Sequence, residues 1–87
     1  MSIEILSIRQ IKAARALLDW SQMDLAKQSG VSYPTIARLE TKDGPVGGRK
    51  DTADAIRATL ESQGIQFLVE GDTANGVGVV LSNAESD

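Results

Sequence analysis

Between Ser21 and Leu39 the sequence sets small, apolar and turn-forming residues at offsets that suit two short helices joined by a tight turn. Ser21 stands where a helix N-cap is wanted, and Leu25 and Ala26 follow one turn later as inward positions. Gly30 closes that helix, at the place where a left-handed backbone costs glycine least. Ser32 caps the next helix only two residues on, and Pro34 lies in its first turn, where a missing N–H costs nothing. Leu25 must then pack on the partner helix, and Ala26 must be small because the two helices cross closely. Val31 plugs the angle between them, while Ile36 and Leu39 seat the second helix on the core. These five apolar residues are read as core whatever the chain does.

The flanking segments supply the rest of that core. Met1 to Leu6 reads as a short extended arm or edge strand. Ser7 and Gln10 have the spacing of a capping box, and a helix follows to about Leu18 with Ile8, Ile11, Ala14 or Arg15, and Leu18 on one face. Asp19-Trp20 breaks the pattern, with Trp20 read as a core plug. Thr41 to Lys50 is a loop marked by Asp43-Gly44-Pro45 and Gly47-Gly48. Asp51 or Thr52 is expected to cap a helix reaching about Gln63, with the stripe Ala53, Ile56 and Leu60, and Gly64 ends it. The period then changes. Ile65 to Glu70 reads as a strand, Gly71 to Gly76 as a turn, and Val77 to Leu81 as a second strand. The expected architecture is mainly α: four helices over residues 1–64, a C-terminal β-hairpin over 65–82, and a flexible polar tail over 83–87. The glycine-rich Gly71–Gly78 segment lacks the Gly-Lys-Ser/Thr ending of a nucleotide-binding loop.

Composition narrows the chemistry. A chain of 87 residues supports one small core, and it contains neither cysteine nor histidine. Disulfides, thiolate chemistry and the usual zinc, iron or copper sites are therefore excluded, along with the commonest general base near neutral pH. Asp51 and Asp54 share a helix's first turn, where acids simply favour the positive end of the dipole. No cofactor and no metal is expected, and an enzyme is the least favoured class. No apolar run approaches the roughly 20 residues that span a bilayer, and the start shows no signal peptide, so a cytoplasmic protein without membrane contact is expected.

Net charge is −3, but it is unevenly spread. Arg9, Lys12, Arg15, Lys27, Arg38, Lys42, Arg49 and Lys50 share their stretch with Asp19, Asp24, Glu40 and Asp43, a local excess of +4. From Asp51 to Asp87, Arg57 stands against seven acids. A local field acts within about 8–10 Å, so the stretch matters more than the total. This pattern fits one face laid on phosphate and fits uneven solvation equally.

The run Ser21-Gln22-x-x-Leu25-Ala26-x-x-x-Gly30-Val31-Ser32-x-x-Thr35-Ile36-x-x-Leu39-Glu40 resembles the lambda-repressor-like, Cro-type helix-turn-helix regulators of the XRE family. The resemblance extends over about Ile8 to Gly64. It implies a four-helix domain that binds double-stranded DNA, usually as a dimer and usually to regulate transcription, in a bacterial or phage setting on the nucleoid. It places the helix from Tyr33 to Glu40 in the major groove. Tyr33, Pro34, Ala37 and Arg38 are its outward positions, and Arg38 is the best candidate for direct readout of a guanine. Ser21, Gln22, Ser32 and Thr35 match positions that hold the DNA backbone, since helix N-termini present free N–H groups to anions. Lys42 and the Gly47-Gly48-Arg49 loop are further phosphate candidates. Two departures stand out. Met23 replaces a residue that is usually polar or acidic, which makes it a candidate exposed apolar contact. Pro34 and Ala37 cannot donate hydrogen bonds to bases, so part of any specificity would come from DNA shape.

Glu40 is read as a structural hydrogen-bond partner, and Arg9 and Arg15 as solvating the first helix. The leading expectation is a homodimeric repressor on a two-fold operator, with half-sites about 34 Å apart and the hairpin contributing to the dimer. One alternative is an antitoxin-like protein that binds DNA and also a partner protein through its C-terminal hairpin. Another is an interaction module that keeps the fold without binding DNA.

Overall fold

Helix α1 (Ile8–Leu18) opens on the capping box read from the sequence. The Ser7 hydroxyl accepts from the Gln10 N–H at 3.1 Å, and the Gln10 side chain accepts from the Ser7 N–H at 3.0 Å. The computed structural model describes residues 6–68, 71–74 and 76. Within them α1 is followed by α2 (Gln22–Ser29), α3 (Tyr33–Leu39) and α4 (Lys50–Ser62). Ile8, Ile11 and Ala14 of α1 are buried, together with Leu25 and Ala26 of α2, Ile36 and Leu39 of α3, and Ile56 and Leu60 of α4. Helix α2 packs against both α3 and α4, and Leu25 is wholly buried. Leu18, Trp20, Val31 and Val46 are half-buried around this cluster, so Trp20 is the plug that its position implies.

Each helix is stopped by a defined device. Asp19 adopts φ 58°, ψ 41°, and the Trp20 N–H reaches back to the Arg15 carbonyl at 2.8 Å. Aspartate is one of the few residues with a side chain that enters this left-handed region readily. Gly30 makes the same turn after α2 with φ 77°. After α4 the Gly64 N–H bonds to the Glu61 carbonyl and the Ile65 N–H to the Leu60 carbonyl, the paired bonds of a Schellman ending, with Gly64 at φ 94°.

The segment between α3 and α4 is strapped to the start of α1. Ile8 N–H donates to the Gly44 carbonyl at 2.8 Å, and Val46 N–H to the Leu6 carbonyl at 2.9 Å. Ser7 and Pro45 form an isolated antiparallel bridge, and Arg9 pairs with Asp43 outside it. Leu6 is thereby buried. Of the expected N-terminal arm, residues 1–5 lie outside the described residues.

Two expectations are corrected. Helix α4 begins at Lys50 with Arg49 as N-cap, not at Asp51 or Thr52, and no side chain caps it. Gly48, at φ 80°, turns the chain just before the helix, so the start is set by the loop backbone and not by a capping hydroxyl. There is no strand among the described residues at Ile65–Leu68. Ile65 and Phe67 are half-buried on the helical core instead, the Leu68 carbonyl accepts from the Gln10 amide at 3.1 Å, and the Phe67 ring lies 5.3 Å from the Arg57 guanidinium carbon. An alternating apolar pattern needs one covered face, and helices α1 and α4 cover it without a sheet. Val77–Leu81 and the tail lie outside the described residues.

A β-carbon on Gly30 would meet nothing within 4 Å, so strain alone opposes a side chain there. Gly30→Ala is therefore expected to cost about 1 kcal/mol, with urea unfolding as the measurement and no change in fold by circular dichroism.

Candidate nucleic-acid interface

Helix α3 has only seven residues, yet both its ends and one face are held. The Ser32 hydroxyl accepts from the Thr35 N–H at 3.4 Å and donates to the Thr35 hydroxyl at 2.9 Å, and Pro34 fits the first turn. At the far end the Thr41 hydroxyl donates to the Arg38 carbonyl at 2.7 Å. With Ile36 and Leu39 buried, the helix turns Tyr33, Pro34 and Arg38 outward. Tyr33 is 43% exposed, and Met23 near the start of α2 is 45% exposed, as its place in the sequence implies. Ala37 and Thr35 are half-buried, so the outward surface of α3 is narrower than four residues.

The start of α2 is positioned by a capping box as well. Ser21 accepts from the Asp24 N–H at 3.0 Å, and Asp24 accepts from the Ser21 N–H at 2.9 Å. That backbone hydrogen bond, with the one from the Ser21 hydroxyl, holds the Asp24 carboxyl below the ordinary aspartate range. Next to it, Gln22 is half-buried and its amide donates to Glu40 at 3.0 Å. Glu40 is thus the joint between the end of α3 and the beginning of α2.

The same carboxylate binds Arg15 through two bonds, at 2.5 and 2.9 Å, and Arg15 also donates to the Trp20 carbonyl at 3.0 Å. The side chains are 3% exposed for Glu40 and 18% for Arg15. Glu40 therefore has the structural role read from the sequence, whereas Arg15 does not merely solvate α1. It lies on the inward stripe beside Ala14, and a charged residue on that stripe is the signal that a buried partner is needed. Burial pushes the Glu40 carboxyl upward, but the hydrogen bonds from Arg15 and Gln22 outweigh it and leave the group below its ordinary range.

Lys42, Gly47, Gly48 and Arg49 are exposed on the loop after α3. A β-carbon on Gly48 would lie 3.9 Å from Leu39 Cδ2, so this loop sits beside the end of α3. The strap to α1 fixes its first half, and the Gly44 N–H, together with Arg9, holds Asp43 ionised below the ordinary range. Among the described residues four of the eight bases from Arg9 to Lys50 are in ion pairs: Arg9, Arg15, Arg49 and Lys50. Lys12, Lys27, Arg38 and Lys42 form none.

A family model described as helix-turn-helix matches residues 11–47. No curated protein and no solved structure matches the chain. Over residues 11–47, which are fewer than half of the 87, the chain is thus similar to the helix-turn-helix regulators. The family is a DNA-binding regulatory one and not an enzymatic one. In this helix-turn-helix, α2 and α3 are the motif pair and the Arg15–Glu40–Gln22 chain fastens them to α1. No helix among the described residues is long and apolar enough to cross a membrane, and none of their carboxylates group as a metal site.

Two outcomes test the fastening. Glu40→Ala leaves Arg15 with an unpaired, largely buried charge, and a loss of about 3 kcal/mol in urea unfolding is expected. The folded pKa of Glu40 lies below its ordinary value of 4.5, so its contribution is complete above that value and is lost as pH falls through the folded pKa. Glu40→Gln is expected to flatten the acid limb of stability in that window, measured by unfolding at steps between neutral pH and about pH 3.

Proposed function

We propose that this protein is a sequence-specific transcriptional regulator, acting as a homodimeric repressor that reads a two-fold operator with α3. The observation that carries the reading is Arg38: an exposed guanidinium, in no ion pair among the described residues, on a short helix whose other face is buried. A guanidinium placed this way pairs with guanine O6 and N7 in the major groove. Tyr33 and Pro34, at the groove end of the same helix, contribute an apolar surface suited to thymine methyl groups. Ser21 and Gln22 at the start of α2, and Ser32 and Thr35 at the start of α3, bring helix N-termini to the phosphates. The hydroxyls of Ser21 and Ser32 already cap their helices and the Gln22 amide already donates to Glu40, so the backbone N–H groups are the natural donors. Lys42 and the Gly47–Arg49 loop extend the phosphate contacts past the end of α3.

In this reading residues 1–64 are the DNA-binding unit, and residues 65–82 contribute to association between two copies. Occupancy of a site that overlaps a promoter suffices for repression. Phe67 packs on the protein's own core, so that side chain is offered neither to a second copy nor to a partner protein.

Selection of bound duplexes from a random-sequence pool tests the proposal with wild type and Arg38→Ala in parallel. A two-fold motif is expected for wild type, with preference relaxed at one base pair per half-site in the variant, a loss of about 1–3 kcal/mol. A folded wild type that enriches no motif would overturn sequence-specific recognition.

A further inference from the structure

The two cations at the end of the Gly47–Lys50 loop are already matched by acids on the first turns of α4. Arg49 Nη2 lies 3.0 Å from Asp51 Oδ2, and Lys50 Nζ lies 2.9 Å from Asp54 Oδ2. All four side chains are mostly solvent-exposed, so they stand on the surface where a phosphate would approach. Resting on the DNA-binding reading above, we propose that Asp51 and Asp54 act as intramolecular competitors for the phosphate backbone. They occupy Arg49 and Lys50 and keep affinity for DNA of arbitrary sequence low.

The physical basis is an exchange of partners. A phosphate that reaches the loop must displace a carboxylate from each cation, and the displaced carboxylate then stands within a Debye length of it. An exposed pair of this kind costs the incoming phosphate on the order of two- to fivefold in affinity. The hydrogen bond from Lys50 to Asp54 raises the lysine's pKa, so the pair stays ionised throughout the neutral range. Arg38 and Lys42 form no ion pair among the described residues, and so the loop and the recognition helix differ in kind. Contacts at the helix are open from the start, whereas those at the loop are conditional. A regulator built this way is less readily sequestered by the large excess of non-operator DNA in a genome.

The test uses the full chain and a random-sequence duplex as the probe, with affinity measured across a salt series. Asp51→Asn/Asp54→Asn is expected to bind about tenfold more tightly than wild type at 0.1 M salt. Its slope of log affinity against log salt should be steeper by up to about 2 per protomer, near 0.9 for each released cation. Glu61→Gln removes a carboxylate that bonds Arg57 at the other end of α4, and it should change neither quantity. Arg49→Ala/Lys50→Ala should weaken wild type by less than about threefold, yet abolish the whole gain in the asparagine background. Equal losses in the two backgrounds, or the same gain from Glu61→Gln, would reduce the effect to overall charge and overturn the proposal. Wild type and asparagine variant of equal affinity and slope would also overturn it while leaving DNA binding intact. A folded wild type that binds no duplex at low salt would remove the DNA-binding reading and this inference together.

Discussion

The buried contact between Arg15 and Glu40 is what the interface geometry depends on. It joins α1 to the end of α3, and through Gln22 it reaches the start of α2. Hydrophobic packing brings these helices together but is tolerant of small rotations, because apolar contacts carry no direction. A bidentate guanidinium–carboxylate pair does carry direction. Its value to stability is modest, since both charges surrender water, and a well-packed apolar replacement could match it. What it contributes instead is a fixed relation between α1, the start of α2 and the end of α3.

Around that joint, the fold is a set of short helices with strongly marked ends. The marks are local and chemical, which is why so many of them are legible in the amino-acid sequence alone. Ser7 with Gln10, Ser21, Ser32 with Pro34, Gly30 and Gly64 all stand at the helix ends that their residue types imply, and the apolar positions between them form the core. Helix α4 begins earlier than expected because its first turn is set by the loop geometry and not by a capping side chain, and such a start leaves no trace in residue type. The pairing of Arg15 is hidden for a different reason. Periodicity assigns a face to a residue but does not reveal which charge from a distant helix will meet it, and 25 positions separate the partners. The segment from Ile65 to Leu68 shows the limit of alternation as a signal, since a covered face can be offered by helices as well as by a neighbouring strand.

The interface is legible in the same uneven way. Arg38 stands out from the helix pattern, and its exposure follows from Ile36 and Leu39 being buried. The pattern makes Ala37 outward as well, but a helix this short cannot turn four residues away from a core it leans on, and Ala37 is half-buried. Counting charges along the chain finds a local excess of bases, yet it does not separate those held by carboxylates from those left open. That division needs positions in space: Asp51 and Asp54 follow the bases they bind by only two and four residues, whereas Asp43 binds Arg9 across 34.

Seven residues are too few for a helix to persist alone in water, where even favourable sequences shorter than about 12 residues are marginal. The surface that α3 presents is therefore not a separable part: it exists only while Ile36, Leu39 and Glu40 are seated. Folding and recognition are in consequence thermodynamically linked. Any ligand that binds α3 only in its folded form stabilises the whole domain, by an amount that grows with the logarithm of its concentration once it is in excess. A lesion in the core therefore leaves affinity intact while the domain stays folded, and lowers it in step with the folded fraction once unfolding begins.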